Sequence, residues 1–195
     1  MCAAPYFIKK MITPSLLASL YGRRSLDNWV SPLLTAIEIA DIRDDGQLAT
    51  FLAQVGHESG RLRYISEIWG PTKQQLKYEP GTALAKTLGN NIAGDGSLYR
   101  GRGLIQITGK TNYTVMTTKL KKYFSNSPDF IAEPKKLQEP FWAAVSAGMF
   151  WKMRSLNNFV NDFPEQTRRI NGGYTGLADR QLLLARAKIL LAHGE

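Results

Sequence analysis

Two segments decide how this chain folds: YRGRGLIQITGKTNY, from Tyr99 to Tyr113, and GHESG, from Gly56 to Gly60. The first has too many glycines for an ordinary strand and too many polar side chains for an unstructured loop. The second presents a carboxylate, that of Glu58, at the end of a helical pattern. We therefore expect the two segments to meet at one ligand site, with residues 104–108 as a short strand, because that stretch is β-branched and partly alternating.

Helical patterns surround this site on both sides. Thr13 and Ser31 are each followed by proline, which predicts two helix starts, and a third helix from Asp45 or Gln47 carries Glu58 at its end. Its apolar side chains recur at the spacing of one buried stripe. Further helices are predicted at residues 72–77, 82–88, 110–122, 140–153, 164–170 and 177–191. The fold class is therefore mainly α, with a small antiparallel β element beside the cleft.

The length of 195 residues suits one domain, which we place at residues 11–195, with residues 1–10 as an N-terminal extension. The formal net charge of +9 predicts an anionic partner surface. No segment has the density of basic side chains expected for reading a nucleic-acid groove. With Cys2 as the single cysteine and His57 and His193 as the two histidines, we expect no metal site and no cofactor.

Two glutamates have the features of an acid and base pair. Glycoside hydrolysis needs one protonated and one ionised carboxyl group in different environments. Glu58 lies on the core side of its helix, which favours the protonated form, whereas Glu67 lies in a polar connection near Arg61 and Arg63 and suits the ionised form. The alternative is that each glutamate forms an ordinary surface salt bridge.

Polar and aromatic side chains in the glycine-rich segments are candidates for substrate binding. Gly101 and Gly103 permit close backbone approach, Arg102 can hold a carboxylate, and Gln106 and Thr108 would face the same side of a strand. Asn171 and Tyr174, on an Asn-Gly-Gly-Tyr turn, suit an N-acetyl group and a sugar face. Purely structural explanations of these residues remain open. Arg102 could form a buried ion pair, the Asn-Gly-Gly-Tyr turn could simply end a helix, and aromatic residues such as Tyr99 could belong to the core.

GHESG, YRGRGLIQITGKTNY and RRINGGYTG together resemble glycoside hydrolase family 19, over roughly residues 13–192. The short connection between the two acidic positions is more similar to the phage and prophage endolysins of that family than to plant chitinases. The resemblance implies a lysozyme-like, two-lobed domain with Glu58 as acid, Glu67 as second carboxylate and Thr108 as the hydroxyl that positions water. It also implies that Gln106, Asn112 and Asn171 contact the substrate and that His57 and Arg102 support the acid and the cleft. From their own chemistry, Arg102, Tyr99 and Tyr174 are further expected substrate contacts.

The resemblance further implies an inverting hydrolase that cuts β-1,4 bonds between N-acetylated sugars. Peptidoglycan glycan strands and the anionic wall surface are the expected partners, with no nucleic acid and no stable membrane insertion, and we expect a monomer. The N-terminal apolar runs are interrupted by Lys9, Lys10 and Pro14, so we expect synthesis in the cytoplasm. A bacterial host cell and holin-mediated release are what the resemblance implies. The alternatives are a chitinase, a non-catalytic basic protein active at walls or membranes, and, more weakly, a nucleic-acid binder.

Overall fold

The computed structural model describes residues 12–193. The predicted N-terminal extension at residues 1–10 lies outside this range. Within it the elements are, in chain order, α1 (Pro14–Tyr21), α2 (Asp27–Ile39), α3 (Asp45–Glu58), α4 (Ala83–Leu88), α5 (Asp95–Leu98), α6 (Lys110–Leu120), α7 (Pro140–Met153), α8 (Phe163–Asn171) and α9 (Leu177–His193), with 3-10 turns at Gln75–Tyr78, Pro134–Gln138 and Leu156–Phe159. The mainly α prediction is confirmed.

Side-chain caps account for several of the helix starts. The Thr13 hydroxyl accepts a hydrogen bond from Leu16 N at 3.0 Å, and the Asp44 carboxylate accepts one from Gln47 N at 2.8 Å. Both bonds satisfy backbone donors that a helix start otherwise leaves free. The starts predicted at Thr13 and near Asp45 are therefore confirmed, with Asp44 as the cap of α3.

The second predicted start is wrong. Helix α2 begins at Asp27 and contains Pro32 in its interior instead of starting there. The additional turn brings Trp29 into the core, where it is buried. Core packing at this aromatic side chain outweighs the local cost of a proline that lacks an N–H donor.

Two helix pairs form the centre of the molecule: α2 packs on α7, and α9 packs on α3. The core includes Leu33, Phe51 and Trp151, all fully buried. The α3–α9 pair matters for function, because it joins the end of α3, where Glu58 lies, to the beginning of the last helix. Within residues 12–193, no helix is both long and apolar enough to span a bilayer.

The predicted strand at residues 104–108 is wrong. Antiparallel pairing in this region consists of two isolated bridges, Ser66 with Arg102 and Arg102 with Ile107. Gly103 and Gln106 have φ values of +80° and +54°, so the segment turns back on itself instead of extending. Its apolar side chains are buried because the loop packs on α7, where Leu104 N donates to Ala143 O at 3.2 Å. The apolar pattern therefore reflected burial and not a strand.

Candidate active site

Glu58 is the last residue of α3, and its carboxylate is held by the final helix of the chain. Glu58 Oε1 accepts a 2.5 Å hydrogen bond from Nη2 of Arg180, on α9. The Glu58 side chain is 16% exposed and that of Arg180 is 1% exposed. Glu58 Oε2 has no hydrogen bond among residues 12–193, so one carboxylate oxygen is fixed and the other is available to a ligand.

A buried polar network lies behind this ion pair. Arg180 Nη1 donates to Gln54 Oε1 at 2.6 Å, and Gln54 Nε2 donates to Thr167 Oγ1 at 2.9 Å. Gln166 continues the network through a 3.1 Å bond to the carbonyl of Leu156. Buried polar groups fully bonded to one another fix the side chains that carry them. The network therefore fixes the orientation of Arg180 and, through it, that of Glu58.

His57 is fixed by a second ionic contact between the same two helices. Its Nδ1 shares a 2.6 Å hydrogen bond with Oδ2 of Asp179, whose Oδ1 accepts a 2.7 Å bond from Arg61 Nη2. Burial acts to raise the pKa of Asp179, but the bonds and charges of His57 and Arg61 outweigh it, and the pKa lies below its usual value. A Cβ atom on Gly176 would come within 2.2 Å of the His57 ring, so only glycine fits there. His57 supports the Glu58 end of the cleft.

Glu67 is held differently, by neutral donors. Its Oε1 accepts a 3.0 Å bond from Gln75 Nε2, and its Oε2 accepts a 3.0 Å bond from the backbone N of Gly101. Within residues 12–193 it forms no ion pair. Gln75 is itself buried and also donates to the carbonyl of Ile68 at 2.8 Å. The second carboxylate thus has a fixed orientation without a paired cation.

The two glutamates line one cavity of about 360 Å³. Its other walls are Tyr64, Ser66, Ile68 and Gln106. The Ser66 hydroxyl is buried with no hydrogen-bond partner among the described residues, which leaves a polar group free at the wall of this cleft. Two carboxylates with different partners on one cavity are the arrangement that general acid and base catalysis requires.

Gln106, Thr108 and Asn112 lie together beside the glutamates. They line an adjacent cavity of about 200 Å³, and Gln106 belongs to both cavities. Thr108 Oγ1 donates to the carbonyl of Gln106 at 2.9 Å, and Asn112 Nδ2 donates to the carbonyl of Thr108 at 2.7 Å. A Cβ atom on Gly101 would lie 2.6 Å from Gln106 Oε1 and 3.2 Å from Thr108 Oγ1. Gly101 therefore lies against Thr108, while its backbone N donates to the Glu67 carboxylate.

Two predicted substrate contacts, Arg102 and Tyr99, lie in the interior, and their role in binding stays a prediction. Arg102 is 1% exposed, and its Nη1 donates to the carbonyl of Leu98 and to the hydroxyl of Tyr113, both at 2.7 Å. Tyr99 is 4% exposed and packs edge-on against Tyr113. Neither lines the cavity that contains Glu58 and Glu67.

Asn171 and Tyr174 remain on the surface. Asn171 ends α8 and is exposed, Gly172 follows with a left-handed φ of +76°, and Tyr174 is 57% exposed. Neither lines the cavity with the glutamates. The turn is nevertheless tied to the site, because Gly176 contacts His57 and the Thr175 carbonyl accepts a 3.3 Å bond from Arg180 Nε. Their role as substrate contacts stays a prediction.

Three supporting residues were missed by sequence reasoning: Arg180, Asp179 and Gln75. Arg180 shares one side of α9 with Leu183, Ala187 and Leu191, all buried. That spacing was a usable signal that this arginine faces inward. Nothing comparable identifies Asp179 or Gln75, whose partners are defined by the tertiary structure.

Known proteins are similar to this chain in sequence. A protein of Haemophilus influenzae, described as a glycosyl hydrolase family 19 domain-containing protein, is 35% identical over an alignment of 167 positions that covers 74% of this chain and 80% of that protein. An Arabidopsis thaliana endochitinase is 34% identical over 128 residues, which are 65% of this chain but 39% of that protein, so the chain spans about two fifths of the plant enzyme. No family model matches the sequence.

Solved structures of chitinases share the fold. Chitinase C from Streptomyces griseus superimposes with a TM-score of 0.70 at 20% identity, over 93% of both chains. A class IV chitinase from Zea mays gives a TM-score of 0.66, also at 20% identity, over 93% of both chains. The predicted lysozyme-like fold is confirmed by these similarities.

Proposed function

Because the chain belongs to glycosyl hydrolase family 19 and is a glycosidase, we propose that it cleaves β-1,4 bonds of the peptidoglycan glycan backbone by an inverting mechanism. The observation that carries this proposal is that Glu58 and Glu67 line one cavity and that their carboxylates have different hydrogen-bond partners. An ion pair fixes the first and two neutral donors fix the second. The two groups can therefore take different roles in one reaction.

Glu58 is the general acid in this proposal. Arg180 occupies Oε1, so the proton is carried on Oε2 and passes to the bridging oxygen of the scissile bond. The buried Gln54 network keeps Arg180 in place while the charge on Glu58 changes during the reaction. His57, restrained by Asp179, supports the end of the helix that presents the acid.

Glu67 is the general base. The bonds from Gln75 and Gly101 orient its carboxylate, and Thr108, beyond Gly101, accepts a hydrogen bond from the attacking water while donating its own proton to the carbonyl of Gln106. Inversion places the carboxyl groups about 6.5 to 9.5 Å apart so that this water fits between them. Gln106 and Asn112 contact the sugar on the same side.

Charge favours peptidoglycan as the substrate. The net charge of +9 suits a polymer whose peptide stems carry carboxylates, whereas chitin is neutral. Chitin remains the second candidate, because the Arabidopsis relative is named an endochitinase and the Streptomyces griseus and Zea mays structures are chitinases. The two candidates differ in substrate and not in the reaction at Glu58 and Glu67.

An endolysin role completes the proposal. In it the enzyme is made in the cytoplasm of an infected or lysogenic bacterium, reaches the wall after holin-mediated release, and lyses the cell as a monomer. The single cysteine fits synthesis in a reducing compartment, since the chain has no second cysteine for an intramolecular disulfide. In this role, degradation of the wall causes both the cytolysis and the antimicrobial activity against intact bacteria.

The test is release of reducing sugar from purified peptidoglycan and from soluble chitin oligomers by the native protein and by Glu58→Gln, with mass spectrometry of the products. We expect saccharide release from peptidoglycan with intact peptide stems, reduced by a factor of about 10³ or more in the variant. Cleavage confined to peptides, or equal activity of the variant, contradicts the proposed site. Killing by the variant at the native level would instead support a non-catalytic, membrane-active protein.

A further inference from the structure

A third cavity, of about 930 Å³, has none of its lining residues in common with the glutamate cavity. It is enclosed by α5, the start of α6 and the 3-10 turn Pro134–Gln138. The apolar part of its wall includes Ile92, Leu98 and Pro134, and the cationic part includes Arg100, Arg102 and Lys135. Its volume lies within the range of about 300 to 1,000 Å³ that is typical of small-ligand pockets.

Arg100 and Arg102 lack anionic partners in this wall. Arg100 Nη1 donates to the carbonyl of Ser97 at 3.1 Å, and Arg102 Nη1 donates to backbone carbonyls and to Tyr113. The Nε atoms of both guanidinium groups are buried and have no hydrogen-bond partner among the described residues. Within residues 12–193 neither arginine forms an ion pair. Two other cations of the wall do, since Lys110 pairs with Asp95 and Lys136 with Glu139.

Arg102 is buried and Arg100 is half-buried, and each has a buried Nε donor without a partner among the described residues. A buried cation normally has an anionic partner, because its desolvation is otherwise uncompensated. Burial and the charge of Arg102 both lower the pKa of Arg100, although Tyr113 and Glu67 act in the opposite direction. The planar guanidinium group binds carboxylates through paired hydrogen bonds.

The wall of this cavity also carries the carboxylates of Asp95, Glu133 and Glu139. Its five cationic side chains outnumber them, and of these Lys135 is exposed and Arg100 is half-buried. The cavity thus has the positive charge and the apolar wall that a small acid with aliphatic groups needs.

We propose that this cavity binds the terminal carboxylate of a peptidoglycan peptide stem, an inference that rests on the proposed wall substrate. Stems end in alanine, so that a methyl group adjoins the carboxylate and matches the mixed apolar and cationic wall. The segment 100–102 connects the cavity with the catalytic cleft: Arg100 and Arg102 line the cavity, while Gly101 between them donates to Glu67. Stem recognition is therefore next to the base that activates water.

The experiment measures binding without catalysis. Isothermal titration calorimetry of the full-length Glu58→Gln protein uses a synthetic stem peptide that ends in a free alanine acid and the same peptide as a C-terminal amide. We expect the free acid to bind and the amide to bind at least tenfold more weakly. Equal binding of acid and amide, or binding of inorganic phosphate without binding of the peptide, overturns the assignment.

Variants locate the binding in this cavity. Arg100→Gln removes a guanidinium group, and Ala132→Trp fills the cavity from an exposed position on its wall without altering any charge. Both should weaken binding of the free acid at least tenfold, whereas Arg186→Gln, an exposed arginine on α9, should not. If Arg100→Gln does not fold, Ala132→Trp still decides, since unchanged affinity in that folded variant overturns the proposal.

A further pair of measurements separates this site from the proposed function. Glycan strands stripped of their stems by an amidase test hydrolysis alone, and native peptidoglycan tests hydrolysis with stems present. We expect Ala132→Trp to raise KM at least threefold on native peptidoglycan and to leave stripped strands unaffected. Failure of the native protein to cut either polymer overturns the proposed function, whereas calorimetry with the stem peptide then still reports on the cavity.

Discussion

At the scale of single residues, Arg180 determines how Glu58 is presented. The two are separated by 122 positions, and their hydrogen bond joins the end of one helix to the start of another. Breaking a mostly buried ion pair by removing one partner costs about 3 kcal/mol, because the remaining charge is left uncompensated. The network behind Arg180 adds to this cost through Gln54, which loses its donor as well.

We expect Arg180→Met to lower the free energy of unfolding by about 3 kcal/mol and activity by about 100-fold, since Glu58 is no longer held in position. Denaturant unfolding and saccharide release measure the two effects. In the double variant Glu58→Gln with Arg180→Met, the loss of stability should be smaller than the sum of the single losses, because no unpaired carboxylate remains. Additive losses would show that the ion pair does not couple these residues.

Gly101 permits the close arrangement of Glu67, Gln106 and Thr108. We expect Gly101→Ala to reduce kcat by about tenfold or more, because the added methyl group displaces Gln106 and Thr108. The matched control is Gly70→Ala, since a Cβ at Gly70 meets no atom within 4 Å. A fully active Gly101→Ala protein would show that Thr108 does not act where we place it.

Sequence reasoning at this scale identifies the charged and polar residues of the cleft but not their partners. Glu58 and Glu67 were chosen from helix periodicity and polarity, and both line one cavity. Arg102 and Tyr99 were expected at the cleft and are buried in the interior, because tertiary contacts decide the direction of a side chain in a loop. Gln75, which orients Glu67, lies in a short 3-10 turn, and the sequence of that turn does not show that its side chain contacts Glu67.

At the scale of elements, the helix starts that have a side-chain cap were predictable, whereas the Ser31 start and the glycine-rich loop were not. Thr13 and Asp44 cap their helices through bonds to residues three positions away, so the information is local. The loop at residues 99–109 is instead held by long-range contacts, above all the buried hydroxyl of Tyr113, which donates to the carbonyl of Arg100 at 2.7 Å and accepts from Arg102. Tertiary contacts therefore determine its shape.

Tyr113 offers a pH test of that loop. Burial raises its pKa to about 12, although its contacts with Arg102 oppose the shift. A group whose pKa is raised on folding contributes stability below its unfolded pKa of about 10, and the contribution is lost as pH rises toward about 12. Comparison with Tyr113→Phe isolates this effect, because Tyr21, whose pKa is also raised, is present in both proteins.

We expect Tyr113→Phe to be less stable than the native protein by about 1 to 3 kcal/mol at neutral pH, since Arg102 and the Arg100 carbonyl lose a partner. This difference should shrink as pH increases from about 10 to about 12, because only the native protein must keep Tyr113 protonated. Urea unfolding across this range measures it. A difference that does not change with pH would indicate that the hydroxyl is not buried in solution.

At the scale of the whole molecule, the net charge separates the two candidate substrates. Interactions between exposed charges are screened over a Debye length of about 10 Å at 0.1 M salt, whereas buried contacts such as Arg180 with Glu58 are screened much less. Salt should therefore weaken the attraction of the basic surface to an anionic wall without changing the chemistry in the cleft.

We expect KM for native peptidoglycan to rise severalfold as salt increases from about 0.05 to about 0.3 M, with kcat nearly constant because the catalytic pair is internal. Peptidoglycan whose stem carboxylates have been converted to amides removes the anionic partner and keeps the glycan, so its KM should be insensitive to salt. Initial rates of saccharide release over a range of substrate concentrations give both parameters. If KM depends equally on salt for the two substrates, the effect comes from the protein itself and not from the stem carboxylates. If KM is independent of salt for both, the charge argument for peptidoglycan over chitin is removed.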